Sequence, residues 1–288
     1  MLLGCLCTVS SSARMRYVGK GGVDTGAGPE SAPWARVEYA AHNSIAGDTV
    51  CIGAGTFELD TSAQFPPGVS VIGSGADKTV LKGSFNSFLL RFESSPPVEG
   101  NQQITGFSID GMGRTLWGGI NTTRHNVELH HVSVSDCKAA GVEIWSGKPA
   151  GRDTPPEVFL KGIHMHHCEL TNCAKVFTTY ASGALGVGHL IDGDIHDLVI
   201  NEDDGYGIKQ RPQGGWGWFR RTRFHDCTIN VNIEGHKTWG SRIAIELWHC
   251  HEDTRVYNNV CNSWVSFIHG NKGEGSRSLI AYNNTLNR

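Results

Sequence analysis

Apolar and polar residues alternate with period two in short runs along most of the chain, and these runs share a common core. The segment V-E-L-H-H-V-S-V-S-D-C at residues 127–137 lays onto I-H-M-H-H-C-E-L-T-N-C at 163–173. That alignment puts His130-His131 over His166-His167, Val134 over Leu170 and Cys137 over Cys173. Shorter copies, a polar pair followed by alternation, start at His196 (H-D-L-V-I-N), His225 (H-D-C-T-I-N), Asn258 (N-N-V-C-N) and Asn283 (N-N-T-L-N). A weaker copy, I-T-G-F-S-I-D, starts at Ile104. A repeat of roughly 20 to 50 residues is the signature of solenoids, propellers and arrays. Period-two alternation marks strands, and no long amphipathic helix separates the copies. The pattern predicts an all-β chain: a right-handed, single-stranded parallel β-helix with one coil per repeat. Val132, Val134, Leu170, Ile229, Ile245 and Phe267 are expected inside.

Near the N-terminus the periodicity changes. Residues 31–43, S-A-P-W-A-R-V-E-Y-A-A-H-N, predict a short helix with Ser31 or Ala32 at the cap and Pro33 in the first turn. Trp34, Val37 and Ala41 lie at helical spacing. A-G-D-T-V-C-I-G-A-G-T-F at 46–57 and P-P-G-V-S-V-I-G-S-G at 66–75 follow. This helix with G-D-T-V, G-T-F and G-V-S-V-I-G resembles the capped first coils of the pectate-lyase-like superfamily, over about residues 35–288. The resemblance implies a helix that plugs the open end of the apolar bore, where an exposed sheet edge would otherwise invite pairing. It divides the chain into a leader at 1–30 and a β-helix at 31–288. The last coil stops mid-pattern, so a capping segment or a covering subunit is expected at that end.

Composition narrows the function. The 37 glycines suit many tight turns, and a net charge of −3 gives no electrostatic case for nucleic acid. Among nine cysteines, Cys137, Cys168, Cys173, Cys227 and Cys261 lie in repeat cores and are expected as buried free thiols. Their spacing fits neither a zinc site nor a disulfide framework. Leu2-Leu3-Gly4-Cys5 resembles a bacterial lipobox, without the charged and apolar regions that normally precede it. It implies a lipid anchor at Cys5 and an extracellular, periplasmic or outer-surface location. No apolar run reaches transmembrane length. The His-His, His-Asp and Asn-Asn pairs share one slot, which favours structural corners over a metal site, since two Asn amides make a poor transition-metal pair.

Candidate chemistry lies on the second strand of each middle coil. Stacking Ile144, Phe177, Ile208, Ile245 and Phe267 as one inward column puts Trp145, Thr178, Lys209 and Glu246 outside, with Tyr180, Arg211 and Trp248 two positions further. Coils about 4.8 Å apart would then gather Lys209, Arg211, Tyr180 and Glu246 into one patch. Trp145, Trp216, Trp218, Trp248, His249 and His251 would border it and contact substrate. The run Glu202-Asp203-Asp204 reads as a solvated turn or a calcium site, so the expected cofactor is none or Ca2+.

Two cations, a phenol and a carboxylate suit proton removal beside a uronic acid carboxylate, which requires that carboxylate neutralised and a base within reach. A lysine on such a strand resembles the chondroitinase B and alginate lyase family of β-helices, where a Lys and an Arg act as base and acid. The resemblance carries over to Lys209 and Arg211 and implies a polysaccharide lyase acting on an anionic polymer; the expected roles are Lys209 as the base, Arg211 neutralising the carboxylate and Tyr180 as the acid. Three alternatives stand beside it. A glycoside hydrolase needs two carboxyls about 5–9.5 Å apart; Glu143 and Glu246, about 14 Å apart over three coils, are too distant, which leaves Glu246 with His249, Glu252 or Asp253. A non-catalytic carbohydrate-binding β-helix would use the tryptophans as platforms. Lys209 and Arg211 could also pair with Glu246 and the acidic run as structural ion pairs.

Overall fold

The computed structural model describes residues 14–147, 154–174, 183–203, 205–210, 217–231, 243–247, 249–263, 266–269 and 278–287. Among these, parallel strands form sheets of seventeen, eight and four members, each strand pairing with its counterparts in the coils before and after. This is the expected right-handed parallel β-helix. Val132, Val134, Leu170, Ile229 and Ile245 are all buried in its bore. Successive coils stack like on like: Ile104, Leu129, Met165, Ile195, Phe224 and Val256 form one inward column, and Ile109, Val134, Leu170, Ile200, Ile229 and Cys261 another. Each such aliphatic side chain taken out of water contributes about 1.5–3 kcal/mol. The core cysteines are free thiols, as expected. Burial pushes Cys168, Cys227 and Cys261 up to about 12.

The long sheet bends once per coil, and the polar pairs explain how. Strand His125–Ser135 pairs through its first part with Ile163–His166 and through its second with Glu169–Thr171. Between the two parts His131 takes a φ of 51°, in the left-handed region. His167, Asp197, Asp226, Asn258 and Asn283 repeat that conformation with φ between 51° and 56°. Asn, Asp and His are the side chains best able to adopt it after glycine. The second member of each pair is therefore a backbone requirement. The first members form a ring ladder: His130, His166, His196, His225, Tyr257 and Tyr282 stack at 4.6–5.2 Å with planes within 12°.

That ladder corrects the alignment of the last two coils by one residue. Tyr257 and Tyr282, not Asn258 and Asn283, stand under the first histidines. Asn259 turns inward instead and is wholly buried. Its Oδ1 accepts from the Cys227 amide at 3.0 Å, and its Nδ2 donates to the Phe224 carbonyl at 3.2 Å. Similarly, the register pairs Ile245 with Ile268 rather than with Phe267.

The N-terminal cap is present but shorter than the sequence suggests. The helix spans Val37–Asn43 and buries Val37, Ala40 and Ala41, with Trp34 buried beside it. It starts late because Trp34 is held in extended pairing with Val18, its amide donating to the Tyr17 carbonyl at 2.8 Å. The carboxylate of Asp24, distant in sequence, accepts the amides of Ala35 and Arg36 at 2.9 and 3.1 Å. Strand Met15–Val18 pairs with Thr49–Ile52, so the first coil begins within the stretch read as leader. Cys5 lies outside the described residues.

Candidate functional site

The eight-stranded sheet carries the candidate chemistry. Its register aligns Ala63, Leu90, Ile120, Val142, Leu185, Ile208 and Ile245 as one inward column. The next residue of each strand faces out, giving the column Gln64, Arg91, Asn121, Glu143, Gly186, Lys209 and Glu246. Two expectations change here. Val142, not Ile144, stands above Ile208, so Glu143 rather than Trp145 shares the column of Lys209. Between those coils the sheet position is filled by Gly183–Gly188, while Phe177 and Thr178, expected there, lie outside the described residues. Tyr180, Arg211, Trp216, Trp248 and Asp204 lie outside the described residues.

Lys209 and Glu246 sit on adjacent coils with Nζ 3.2 Å from Oε2, both side chains 9% exposed. The ammonium also lies 3.5 Å from the ring centroid of Tyr206, a cation–π contact. Lys209 is thus an outward residue that is nonetheless enclosed. Glu143 is enclosed as well, and burial pushes its carboxyl up to about 7; the nearby charge of Glu93 adds to the rise, while a hydrogen bond from Asn121 Nδ2 at 3.1 Å opposes it. By strand spacing Glu143 and Lys209 are about 10 Å apart at the backbone, with one coil between.

That intervening coil, G-A-L-G-V-G, has an outer side without side chains. Ala184, Leu185 and Val187 enter the core, leaving Gly183, Gly186 and Gly188 for the outside. A Cβ on Gly186 would lie 3.1 Å from Glu143 Cγ, and one on Gly183 would lie 2.6 Å from Lys209 Cβ. Glu143 and Lys209 lean over the bare strand from opposite sides.

Toward the N-terminal coils the column opens into a cleft of about 550 Å³. Gln64, Arg91, Glu93, Asn121 and Thr123 line it, with Trp145 as its aromatic wall. A smaller hollow of about 300 Å³ adjoins it through Arg91 and Glu93 and is walled by Phe88 and Trp117. One wall of the cleft is stiffened from beneath by Arg124, a buried guanidinium. It donates to the carbonyls of Phe65 and Glu93, both at 2.8 Å, and to Gln102 Oε1 at 2.8 Å.

The other sequence candidates fall elsewhere. Trp218 is buried and stacked on His249 and His251, at 4.4 and 5.1 Å, so it is no open platform for a sugar. Glu202 is turned inward, and its two oxygens accept the amides of Cys173 and Ala174, each at 2.8 Å. Burial raises its carboxyl well above the usual range. Asp203 is instead exposed and pairs with Arg114. Glu202 and Asp203 thus point to different partners, Asp204 lies outside the described residues, and among the described residues no three His, Cys, Asp or Glu side chains are grouped to hold a metal.

Sequence reasoning missed the N-terminal half of this column and the glycine strand. Gln64, Arg91 and Asn121 lie in coils too divergent to align without the structure. Residues 183–188 carry no strand signal, since glycine is depleted in strands. Glu143 could have been found by letting the V-E-I run align on Val142.

No protein-family description matches the sequence, and no curated protein matches it. Solved structures do match its shape. Pectate lyase Pel9A superposes with a TM-score of 0.57 at 12% identity, over 96% of this chain and 78% of that one. XylC in complex with xylose superposes at 0.53 and 9% identity, over 88% and 66%. The tailspike protein gp49 of Acinetobacter baumannii bacteriophage Fri1, a capsular polysaccharide depolymerase, superposes at 0.56 and 10% identity. This chain covers half of that tailspike's length, with 96% of its own residues aligned. The fold is therefore the parallel β-helix anticipated from the repeats, of the pectate-lyase-like shape that the first coils resemble.

Proposed function

We propose that this chain is a carbohydrate-active β-helix that cleaves an anionic, uronic-acid-containing polysaccharide by β-elimination. The observation that carries the reading is the outward column itself. It joins an open, polar cleft walled by Trp145 to an enclosed segment holding Glu143, Lys209 and Glu246. A tryptophan face beside amide, hydroxyl and charged groups is the chemistry that grips sugar rings. A straight track along the sheet suits an extended polymer better than a compact ligand. Pectate lyase Pel9A and the tailspike protein, which share the fold, are named as a pectate lyase and a capsular polysaccharide depolymerase.

In this reading Lys209 meets the sugar carboxylate as a cation. Its Nζ already lies 3.2 Å from Glu246 Oε2, an ion-pair setting that suits meeting an anion more than taking a proton. Arg211 and Tyr180 keep the supporting roles the sequence suggests, as second cation and acid. Export, through the lipobox-like Leu2-Leu3-Gly4-Cys5, belongs to the same proposal, since polymers of this kind lie outside the cell.

Incubation with a panel of uronic-acid polysaccharides tests the reading. Elimination produces an unsaturated sugar with ultraviolet absorbance, and its absence across the panel would overturn the lyase assignment. A second reading, hydrolysis, is favoured by one observation: Glu143 carries a carboxyl raised by burial, and the charge of a second carboxylate, Glu93, is near enough to add to the rise. It predicts new reducing ends without the unsaturated chromophore.

A further inference from the structure

The cleft walled by Trp145 and the smaller hollow walled by Trp117 meet at Arg91 and Glu93, which line both. Each cavity has its own tryptophan, partly exposed, and the two share one guanidinium. Arg91 stands in the outward column, in register with Gln64 on one side and Asn121 on the other. Its side chain is 39% exposed and pairs with Glu93, which is 28% exposed. Both reach open space, unlike the enclosed Glu143 and Lys209. A guanidinium carries five N–H donors in a planar fork, more than one carboxylate can take. Glu93 fixes that fork and leaves donors for an acceptor entering the cavities. Charge points the same way. Arg124, buried beneath the wall of the cleft, stays a cation, and the charge of Glu93 acts on it as well as on Glu143. Lys138 adds a further cation on the side of the hollow, its Nζ 5.8 Å from the Trp117 ring centroid. Glu143, pushed up to about 7, is uncharged in acid. The surplus around the two cavities is therefore positive, which draws in an anion.

We propose, resting on the reading of an acidic polysaccharide, that the cleft and the hollow are adjoining subsites for two successive uronic acid rings, and that Arg91 binds a ring carboxylate and so selects uronic acid over neutral sugar. Trp145 and Trp117 cover the apolar faces of the two rings. Arg91 meets the carboxylate with the side of its fork that Glu93 leaves, where paired N–H donors match two oxygens. The site recognises and holds the polymer; no bond is made or broken in it. Its two cavities, of about 550 and 300 Å³, are open, so the rings enter without displacing the enclosed side chains further along the column.

Binding tests the site apart from cleavage. The probes are disaccharides of galacturonic, glucuronic and mannuronic acid, each beside the neutral disaccharide made by reducing its carboxyls. Calorimetric titrations are to be run on the wild type, Arg91→Gln and Arg91→Lys, with the urea unfolding midpoint of each. The wild type is expected to bind at least one acidic disaccharide roughly 10–100-fold more tightly than its neutral counterpart, the worth of a charge-assisted contact. Arg91→Gln should bring the acidic disaccharide down to the neutral one while leaving the neutral affinity as it was. Arg91→Lys should fall between, since an ammonium keeps the charge and lacks the fork. A wild type that binds no acidic disaccharide, or binds acidic and neutral alike, overturns the proposal, and that comparison needs no variant to fold. A folded Arg91→Gln that keeps the preference overturns it too, as does one that loses both affinities equally, which would make Arg91 a support of the cavity wall. The preference without unsaturated product from any acidic polymer overturns the lyase chemistry and leaves the site standing. Unsaturated product without the preference does the reverse.

Discussion

Lys209 and Glu246 face each other across one coil step, Nζ 3.2 Å from Oε2, in surroundings that leave each side chain only 9% exposed. An ion pair so enclosed is held as much by the cost of separating it as by its own attraction. Breaking such a buried pair by removing one partner costs about 3–5 kcal/mol. An outward lysine on a strand is ordinarily replaced with little effect on folding; the enclosure of this pair reverses that expectation.

Glu246→Gln and Lys209→Met are therefore each expected to lower the unfolding free energy by about 3 kcal/mol or more, read from urea titration. The double variant Lys209→Met/Glu246→Leu should recover most of the loss. A double-mutant cycle with single effects below about 0.5 kcal/mol would show the pair to be solvated and unimportant to folding.

Glu143 gives a stability prediction independent of any substrate. Its carboxyl is raised from the ordinary 4.5 to about 7 in the fold. The unfolded chain gives up this proton at lower pH than the fold does. The group's contribution is therefore fully present below about pH 4.5 and is lost as pH rises through 7. At pH 8 the burial of the carboxylate costs about 3 kcal/mol relative to acid conditions. Glu143→Gln cannot ionise, so it should be more stable than wild type at pH 8 and lose that advantage below pH 5. Parallel stability curves for the two proteins from pH 5 to 8 would contradict the raised carboxyl.

How much of this could be read from the chain follows from what each coil uses to hold its place. Ile200, Ile229, Leu170 and Val134 announce themselves by alternation, and the histidine pairs recur because a bend and a ring stack are both needed at one corner. The register slipped where two slots look alike in sequence. Tyr257 and Asn258 were indistinguishable from Asn258 and Asn259 until the left-handed backbone of Asn258 fixed which residue makes the bend. Lys209 and Glu246 were placed correctly because Ile208 and Ile245 precede them with unambiguous spacing. The strand at Gly183–Gly188 was invisible because its outer glycines erase a strand's sequence pattern.

The bend itself can be tested at Asn258, whose φ is 56°. Glycine adopts that conformation without steric cost, whereas a β-branched residue does not. Asn258→Gly should leave the unfolding midpoint nearly unchanged, and Asn258→Val should cost about 1–2 kcal/mol. Equal effects from the two would mean that the side chain, not the backbone, sets this position.

Arg124 offers the link between the frame and the cleft. Its guanidinium is 1% exposed and donates to the carbonyls of Phe65 and Glu93, to Gln102 Oε1 and to Ser94 Oγ. Burial lowers it to about 10, opposed by the charge of Glu93, so it stays a cation at neutral pH. Only a planar fork reaches partners in so many directions, and a lysine at this position cannot. Arg124→Met would strand several buried acceptors, each costing about 1–3 kcal/mol, and is expected to unfold the N-terminal coils. Arg124→Lys keeps the charge and some of the bonds, so it should fold with a loss of about 2 kcal/mol. Because Glu93 and Ser94 line the cleft beside Trp145, the same variant should weaken oligosaccharide binding, followed by tryptophan fluorescence. Lys209 and Glu246 lie several coils away and should keep their coupling energy in that background. Arg124→Lys that binds as tightly as wild type would show that the cleft wall holds its shape without the buried guanidinium.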